Sequence, residues 1–275
     1  MIQDIGPSRL HNQYKNMKPS EEDLVLVFDK EGKILTKVSE EGLEFTRAEL
    51  AGYDAIYLFS VDEDRYFMSL SAPPVLEGYE YRSIRQLRDE GCGKELFAAF
   101  TAYHLWRWYS DNRYCGVCGK ELVPDDKERA QKCKGCGKII YPRINPAVIV
   151  GVINKDRILI TKYRTGYAHS ALIAGFTEIG ETLEETVERE VMEEAGIRVK
   201  NIRYYKSQPW GMAQDILAGF FCDVDGDDTI RMDEGELKYA SWVDRSDIEL
   251  QPNDLSLTNE MMKLFKETGL SCRKE

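Results

Sequence analysis

The chain lacks any apolar run of membrane-spanning length. Its longest strong one, Pro146-Ala147-Val148-Ile149-Val150-Gly151-Val152-Ile153, suits a buried strand and falls far short of the ~20 residues a bilayer helix needs. The first residues, Met1-Ile2-Gln3-Asp4-Ile5-Gly6-Pro7, lack the charged and apolar profile of a secretory leader, so a cytoplasmic location without membrane association is expected. An excess of basic residues is also missing. With 37 Lys and Arg against 48 Asp and Glu, the net charge of −11 argues against a general polyanion binder, because phosphate backbones are held mainly by basic surface. A small phosphorylated ligand stays compatible, since metal ions and a few arginines can meet its charge locally. Histidine is scarce: His11, His104 and His169 do not cluster, and none is favoured as a catalytic base. Internal repeats and low-complexity segments are absent. What remains is a globular composition, 43% hydrophobic over 275 residues, enough for one large or two modest domains with a sizeable core.

The informative part of the chain lies between Gly175 and Ile197. Gly175-Phe176-Thr177-Glu178-Ile179-Gly180-Glu181 runs into Thr182-Leu183-Glu184-Glu185-Thr186-Val187-Glu188. The segment closes with Arg189-Glu190-Val191-Met192-Glu193-Glu194-Ala195-Gly196-Ile197. At about 100° per residue, Leu183, Val187, Val191 and Ala195 form one apolar stripe of a helix. Glu190, Glu193 and Glu194 project beside that stripe. Glu194 falls angularly between Leu183 and Val187, so its carboxylate is predicted to be held back from bulk water. Close like charges repel, and a half-buried carboxylate is costly. A hard divalent cation, Mg²⁺ or Mn²⁺, relieves both problems with oxygen ligands. On the Glu-Glu pair alone, a solvated acidic face is the favoured reading. Gly175 and Gly180 are expected to permit a tight loop, including positive φ, and Gly196 to cap the helix ahead of Ile197. Arg189 is expected to orient a loop carboxylate, with Glu181 the first candidate.

Written as a pattern, the segment is Gly, five residues, Glu, seven residues, then Arg-Glu-apolar-any-Glu-Glu-any-Gly-apolar. It resembles the Nudix box, the signature of hydrolases acting on a nucleoside diphosphate linked to another group, and every fixed position is filled.

Seven cysteines, four of them in two pairs, indicate a metal site rather than a disulfide framework. Cys115-Gly116-Val117-Cys118-Gly119 and Cys133-Lys134-Gly135-Cys136-Gly137 are two knuckles whose four thiolates complete a tetrahedral, structural Zn²⁺ site. An interaction role for such a zinc ribbon stays open. Cys92, Cys222 and Cys272 are singletons, read as small buried or incidental residues. The ribbon marks a boundary, giving three expected parts: residues 1–110, β-rich with a closing helix; 111–142, the ribbon; and 143–275, the hydrolase domain.

Before the ribbon, Asp23–Phe28 and Lys33–Leu35 read as a hairpin around Asp29-Lys30-Glu31-Gly32, and 54–59 with 66–70 as a second. Lys94 to Ser110 reads as a helix burying Leu96, Phe97, Phe100 and Leu105. Arg82, Arg85 and Arg88 share helical spacing on a solvated face, and the first twenty residues read as a loose arm. After the ribbon, 147–153 and 157–163 are adjacent strands, followed by strands at 203–207, 218–224 and 237–243 and a helix at 257–267. The fold class expected is α+β or α/β: a Nudix α/β/α sandwich with a mixed sheet, preceded by a zinc ribbon and a β-rich N-terminal domain.

Ser207-Gln208-Pro209-Trp210 resembles the Ser-Gln-Pro-Trp motif of the NADH pyrophosphatase (NAD-capped RNA hydrolase) subfamily, although alone it reads as a turn around a buried indole. The ribbon directly before the box, the N-terminal domain and Tyr141-Pro142-Arg143 are similar to that subfamily as well. The subfamily continues after the tryptophan with Pro-Phe-Pro, where this chain has Gly211-Met212-Ala213-Gln214. The departure falls on the segment expected to shape the nicotinamide pocket.

The resemblance implies a homodimer that hydrolyses the pyrophosphate bond of NAD(H) to nicotinamide mononucleotide and AMP, and that also removes NAD caps from RNA 5′ ends. It implies Glu190, Glu193 and Glu194 as catalytic and Mg²⁺- or Mn²⁺-binding residues, with Glu236 as a further ligand. It places Tyr141 and Phe176 on either side of the nicotinamide ring across the dimer, with Ser207, Gln208, Pro209 and Trp210 at the substrate. Other substrates stay open: ADP-ribose, diadenosine polyphosphates or nucleoside triphosphates. So does a zinc-ribbon interaction protein whose Nudix fold senses a nucleotide.

Overall fold

The computed structural model describes residues 1–40, 42–70, 75–165 and 169–269. They form two compact units: residues 2–143 with 211–214, and Met1 with 144–210 and 215–275. No described helix is long and apolar enough to cross a membrane.

In the first unit, strands β1 (Leu10–His11), β2 (Leu24–Leu26), β3 (Ile34–Ser39) and β4 (Gly42–Phe45) precede a short helix α1 (Ala48–Ala51). There follow β5 (Ala55–Val61), β6 (Asp64–Ser69), β7 (Glu80–Arg82), α2 (Ile84–Glu90) and α3 (Gly93–Asp111). Two sheets result, with orders β1-β5-β6-β2 and β4-β3-β7. The β5–β6 hairpin forms as the alternation predicts, its turn accommodating Asp62 at φ 52°. The first predicted hairpin forms only at its tip, where the Asp29 amide donates to the Lys33 carbonyl (3.0 Å) and the Leu35 amide to that of Val27 (2.9 Å). Asp29 does organise the expected turn, accepting from the amides of Glu31 and Lys33, and a single bridge links Phe28 to Ile34. The strands then part: β2 runs parallel to β6, and β3 pairs with β4 and β7. Val25, Leu26 and Val27 are buried consecutively, the mark of a strand covered on both faces, which a two-stranded hairpin cannot provide.

Helix α3 buries Leu96, Phe97, Phe100 and Leu105 as expected. Arg82, by contrast, belongs to β7 and shares no helix face with Arg85 and Arg88. Ser83 starts α2 in a reciprocal cap with Gln86, and the Arg82 guanidinium turns to Glu90 (2.7 Å) and Glu80 (3.2 Å).

The ribbon strands β8 (Leu122–Pro124), β9 (Gln131–Cys133) and β10 (Ile139–Ile140) make a three-stranded sheet within the same unit. The N-terminal residues are not a loose arm. β1 pairs with β5, Tyr14 Oη donates to the Asp125 carbonyl (2.8 Å), and Asn16 Nδ2 donates to that of Asp126 (3.1 Å). Arg129, between β8 and β9, donates to Asn12 Oδ1 (2.7 Å) and to the Leu58 carbonyl. The arm lacks hydrophobic periodicity because polar bonds to distant partners fix it.

The second unit holds β11 (Asn145–Asn154), β12 (Arg157–Tyr163), β13 (Ile173–Phe176), α4 (Leu183–Ala195), β14 (Val199–Trp210), β15 (Asp215–Val224), β16 (Leu237–Asp244) and α5 (Leu257–Thr268). The sheet order is β14-β15-β11-β12-β16, with β13 also on β11; β11 and β15 are parallel and the other pairs antiparallel. Alternation along β11 sorts the core. Val148, Val150 and Val152 pack with Val187, Val191 and Ala195 of α4; Ile149 and Ile153 pack on the other side with Leu257, Met261 and Phe265 of α5. The result is the expected α/β/α sandwich with a mixed sheet.

Replacing Arg129 by Ala removes hydrogen bonds from a charged donor to Asn12 and to the Leu58 carbonyl. We expect a loss of about 1–3 kcal/mol in urea unfolding, with faster proteolysis within residues 1–20 under native conditions.

Candidate active site

Helix α4 is set at both ends by local chemistry. Thr182 Oγ1 accepts from the Glu185 amide, Glu185 accepts in return from the Thr182 amide (2.8 Å), and Gly196 closes the helix at φ 69°. Its apolar stripe is fully buried at Val187, Val191 and Ala195. That packing fixes the azimuth of the acids: Glu194 is 2% exposed, Glu190 9%, and the Glu193 side chain 59%.

Strand β13 lies along this acidic face, and each of three consecutive residues serves one part of it. The Ala174 amide donates to Tyr163 Oη (3.0 Å), which in turn donates to the Glu194 carboxylate, 3.1 and 3.2 Å from its two oxygens. A Cβ on Gly175 would stand 1.9 Å from Cδ of Glu190. The Phe176 carbonyl accepts from Arg189 Nη2 (2.9 Å). Gly175 is therefore glycine to admit the Glu190 carboxylate, not to reach positive φ; of the two loop glycines, only Gly180 (φ 97°) does that.

Arg189 gathers the charges. Its Nε and Nη2 hold the two oxygens of Glu181 (2.5 and 2.9 Å), while Nη1 reaches Glu190 (2.7 Å) and Glu193 (2.9 Å). The bidentate pairing with the loop carboxylate is the one expected. It holds the Glu181 carboxyl down at about 2, helped by the Glu178 amide. Burial pushes the other way at the helix: it raises Glu190 despite Arg189, and it raises Glu194 to about 8, with Glu190, Glu236 and Asp233 adding repulsion. Two carboxylates drawn out of water beside further acids form a donor set suited to a hard divalent cation.

The cysteines form a separate centre in the other unit. Among the described residues they are the one group of His, Cys, Asp or Glu whose donor atoms all lie within 4.8 Å of one another. The Cys115–Cys136 and Cys118–Cys133 sulfur pairs stand 3.6 and 3.4 Å apart. These separations are near the ~3.8 Å edge of a tetrahedron with Zn–S bonds of about 2.3 Å. Amides of Val117 and Gly135 donate to Cys115 and Cys133, and the backbone amide of Cys136 leads in pulling the Cys133 thiol down to about 6, toward the thiolate a metal needs. Gly119 and Gly137 take the positive φ that curls each knuckle. The set fits structural zinc.

Residues 143–265 match the NUDIX domain family, and residues 110–141 match the NADH pyrophosphatase zinc ribbon domain. A protein named NAD-capped RNA hydrolase NudC from Shigella dysenteriae serotype 1 is 39% identical over 200 residues, 72% of this chain and 75% of that one. This chain belongs to the Nudix hydrolase family. Its other relatives include the NAD-capped RNA hydrolase NudC of Escherichia coli strain K12 / DH10B, 38% identical with the same coverage. The crystal structure of a NUDIX hydrolase from Nitrosomonas europaea shares the fold at a TM-score of 0.50 and 22% identity, over 56% of this chain and 90% of that one.

The remaining residues singled out in this Nudix hydrolase take different places. Phe176 ends β13 beside the acids, 53% exposed; Tyr141, in the ribbon unit, is 56% exposed, with its hydroxyl on Glu128 (2.9 Å). Glu236 is exposed and precedes β16, close enough to Glu190 and Glu194 to raise both. Ser207 to Trp210 form the end of β14 rather than a turn, paired with Asp215 to Ala218; because β14 is an edge strand, it tolerates Pro209. Gln208 is fully buried. Its Nε2 donates to the Leu255 carbonyl (2.8 Å) and its Oε1 accepts from the Leu257 amide (2.7 Å), so its side-chain amide holds the start of α5.

At Gly211 a Cβ would meet the Phe100 carbonyl at 2.1 Å, and Gln214 accepts from Arg143 (2.5 Å). This gives the divergent segment a packing role. Cys222 is buried, Cys92 is exposed, and Cys272 lies outside the described residues. Sequence reasoning missed Tyr163. Its only signal is an aromatic at the last position of β12, on the same face as Leu159 and Thr161.

Gly175→Ala is expected to displace the Glu190 carboxylate while sparing the fold, because the group in its way is the end of a flexible side chain. The check is kcat/KM, lowered about 10–100-fold as for other losses of support around a metal site, at an unchanged melting temperature.

Proposed function

We propose that this Nudix hydrolase cleaves the pyrophosphate bond of NAD(H), and that it acts on the same bond at NAD-capped RNA 5′ ends. The observation that carries the reading is the Glu190–Glu193–Glu194 face of α4, complete and braced by Arg189, in a chain that also holds the NADH pyrophosphatase zinc ribbon. Water forms a new P–O bond at one phosphorus, the bridging P–O bond breaks, and the two products leave as nicotinamide mononucleotide and AMP.

Glu190, Glu194 and Glu193 would hold Mg²⁺ or Mn²⁺, with Glu236 as a further ligand. When bound, the metal supplies charge neutralisation for the phosphates and acidifies a coordinated water. Glu193, the most exposed of the three helix carboxylates, would accept the water proton. Glu190 and Glu194 are held by the fold on the less hydrated side, where a carboxylate binds a cation more strongly than in bulk water. Arg189 keeps Glu181 ionised and fixes the loop before the helix, so it acts through position. Phe176, exposed next to this face, offers a ring for the nicotinamide to stack on. A homodimer with Tyr141 as the second stacking ring completes the proposal.

Steady-state kinetics on NADH, NAD⁺, ADP-ribose and diadenosine polyphosphates test the substrate. The highest kcat/KM is expected for NADH, and a clear preference for ADP-ribose overturns the assignment. Glu193→Gln is expected to lower kcat by at least about 100-fold with little change in melting temperature. Activity within a few-fold of wild type would remove Glu193 from the chemistry.

A further inference from the structure

Strand β12 contributes to the active site at its last residues. Leu159 packs in the core cluster under α4, so alternation sends Tyr163 off the same face, toward the acidic helix. The pairing with β16 slips between Lys162 and Tyr163: Lys162 stands opposite Tyr239, and Tyr163 opposite Leu237. Such an irregularity next to a site re-aims a side chain. Here it leaves the Tyr163 hydroxyl accepting from the Ala174 amide at 3.0 Å and facing both oxygens of Glu194 at 3.1 and 3.2 Å.

The hydroxyl has one hydrogen and accepts from the Ala174 amide; of its possible acceptors, the Glu194 oxygens at 3.1 and 3.2 Å lie nearer than the Ala174 carbonyl at 3.4 Å. Its geometry therefore makes it a donor to Glu194. The next residue ties the far side of the site: the Arg164 amide donates to the Glu236 carbonyl (3.0 Å), and Arg164 Nε donates to that of Glu234.

We propose that Tyr163 is a positioning residue for the hydrolytic site. It fixes the rotamer of Glu194, and it sets that carboxylate in register with the Glu236 segment. The phenol hydrogen occupies one lobe of the carboxylate and leaves the remaining lone pairs for a divalent cation. Holding a ligand's carboxylate from behind is the general means by which a protein tunes a metal site. A core-packing role for the ring alone would not require the hydroxyl to bridge β13 and α4. The proposal rests on the reading of Glu194 as a ligand for Mg²⁺ or Mn²⁺.

The test uses Tyr163→Phe, which keeps the ring and removes only the donor, in the full chain. Mn²⁺ binding is titrated by the electron paramagnetic resonance signal of free Mn²⁺, for wild type, Y163F, E194Q and the double variant, with melting temperatures of the metal-free proteins alongside. Y163F is expected to weaken Mn²⁺ binding about 10-fold, lower kcat on NADH with little change in KM, and melt like wild type. In the E194Q background the same change is expected to add nothing, because the group it positions has gone.

Equal Mn²⁺ affinity for wild type and Y163F overturns the proposal. So does an equal loss from Y163F in both backgrounds, or a loss accompanied by a lowered melting temperature, either of which marks a structural role. If wild type leaves NADH intact, the proposed reaction fails while the Mn²⁺ cycle still judges Tyr163.

Discussion

The guanidinium of Arg189 is the interaction on which the hydrolytic unit depends. Like charges on adjacent turns of a helix repel, and burial of two of them makes the repulsion worse. A single planar cation with five donors answers this by bonding Glu181, Glu190 and Glu193 together with the Phe176 carbonyl. A lysine could carry the charge but not the fork that engages the loop, the helix and the strand at once. The loop before α4, the helix itself and β13 are thereby fixed to one another. The acids are left facing the same space.

Strand β13 supplies the rest of the frame. Ala174, Gly175 and Phe176 serve, in order, Glu194 through Tyr163, Glu190 by absence of a side chain, and Arg189 by a carbonyl. This is a division of labour between backbone and side chains. Helix packing chooses which way the acids point; the strand then decides how far each one reaches. The zinc ribbon stands in a different relation to function. It belongs to the unit of residues 2–143, where Arg129 and the N-terminal arm hold its loop, and its four cysteines leave no donor free for chemistry.

Local periodicity made much of this legible. The stripe of Leu183, Val187, Val191 and Ala195 predicted the helix, its buried side and the strained position of Glu194. The two Cys-x-x-Cys-Gly knuckles predicted the thiolate cluster. Features that rest on distant partners were not legible. Gly175 is explained by Glu190, which only the tertiary fold brings against it. Tyr163 is explained by a slipped pairing and by a residue on α4. The hairpin around Asp29 stays confined to its tip for the same reason: its turn chemistry is local and present, whereas the partners of β2 and β3 are set by the two sheets. Gln208 shows the converse, since a residue expected to face substrate has its amide committed to the start of α5.

The central claim is that the α4 carboxylates hydrolyse a dinucleotide pyrophosphate. Product analysis by liquid chromatography and mass spectrometry after incubation with NADH and Mn²⁺ in ¹⁸O-labelled water tests it most directly. The account predicts equal amounts of AMP and reduced nicotinamide mononucleotide, with one labelled oxygen on a phosphate of one product. Intact NADH, or nicotinamide released with an unbroken pyrophosphate, would contradict it.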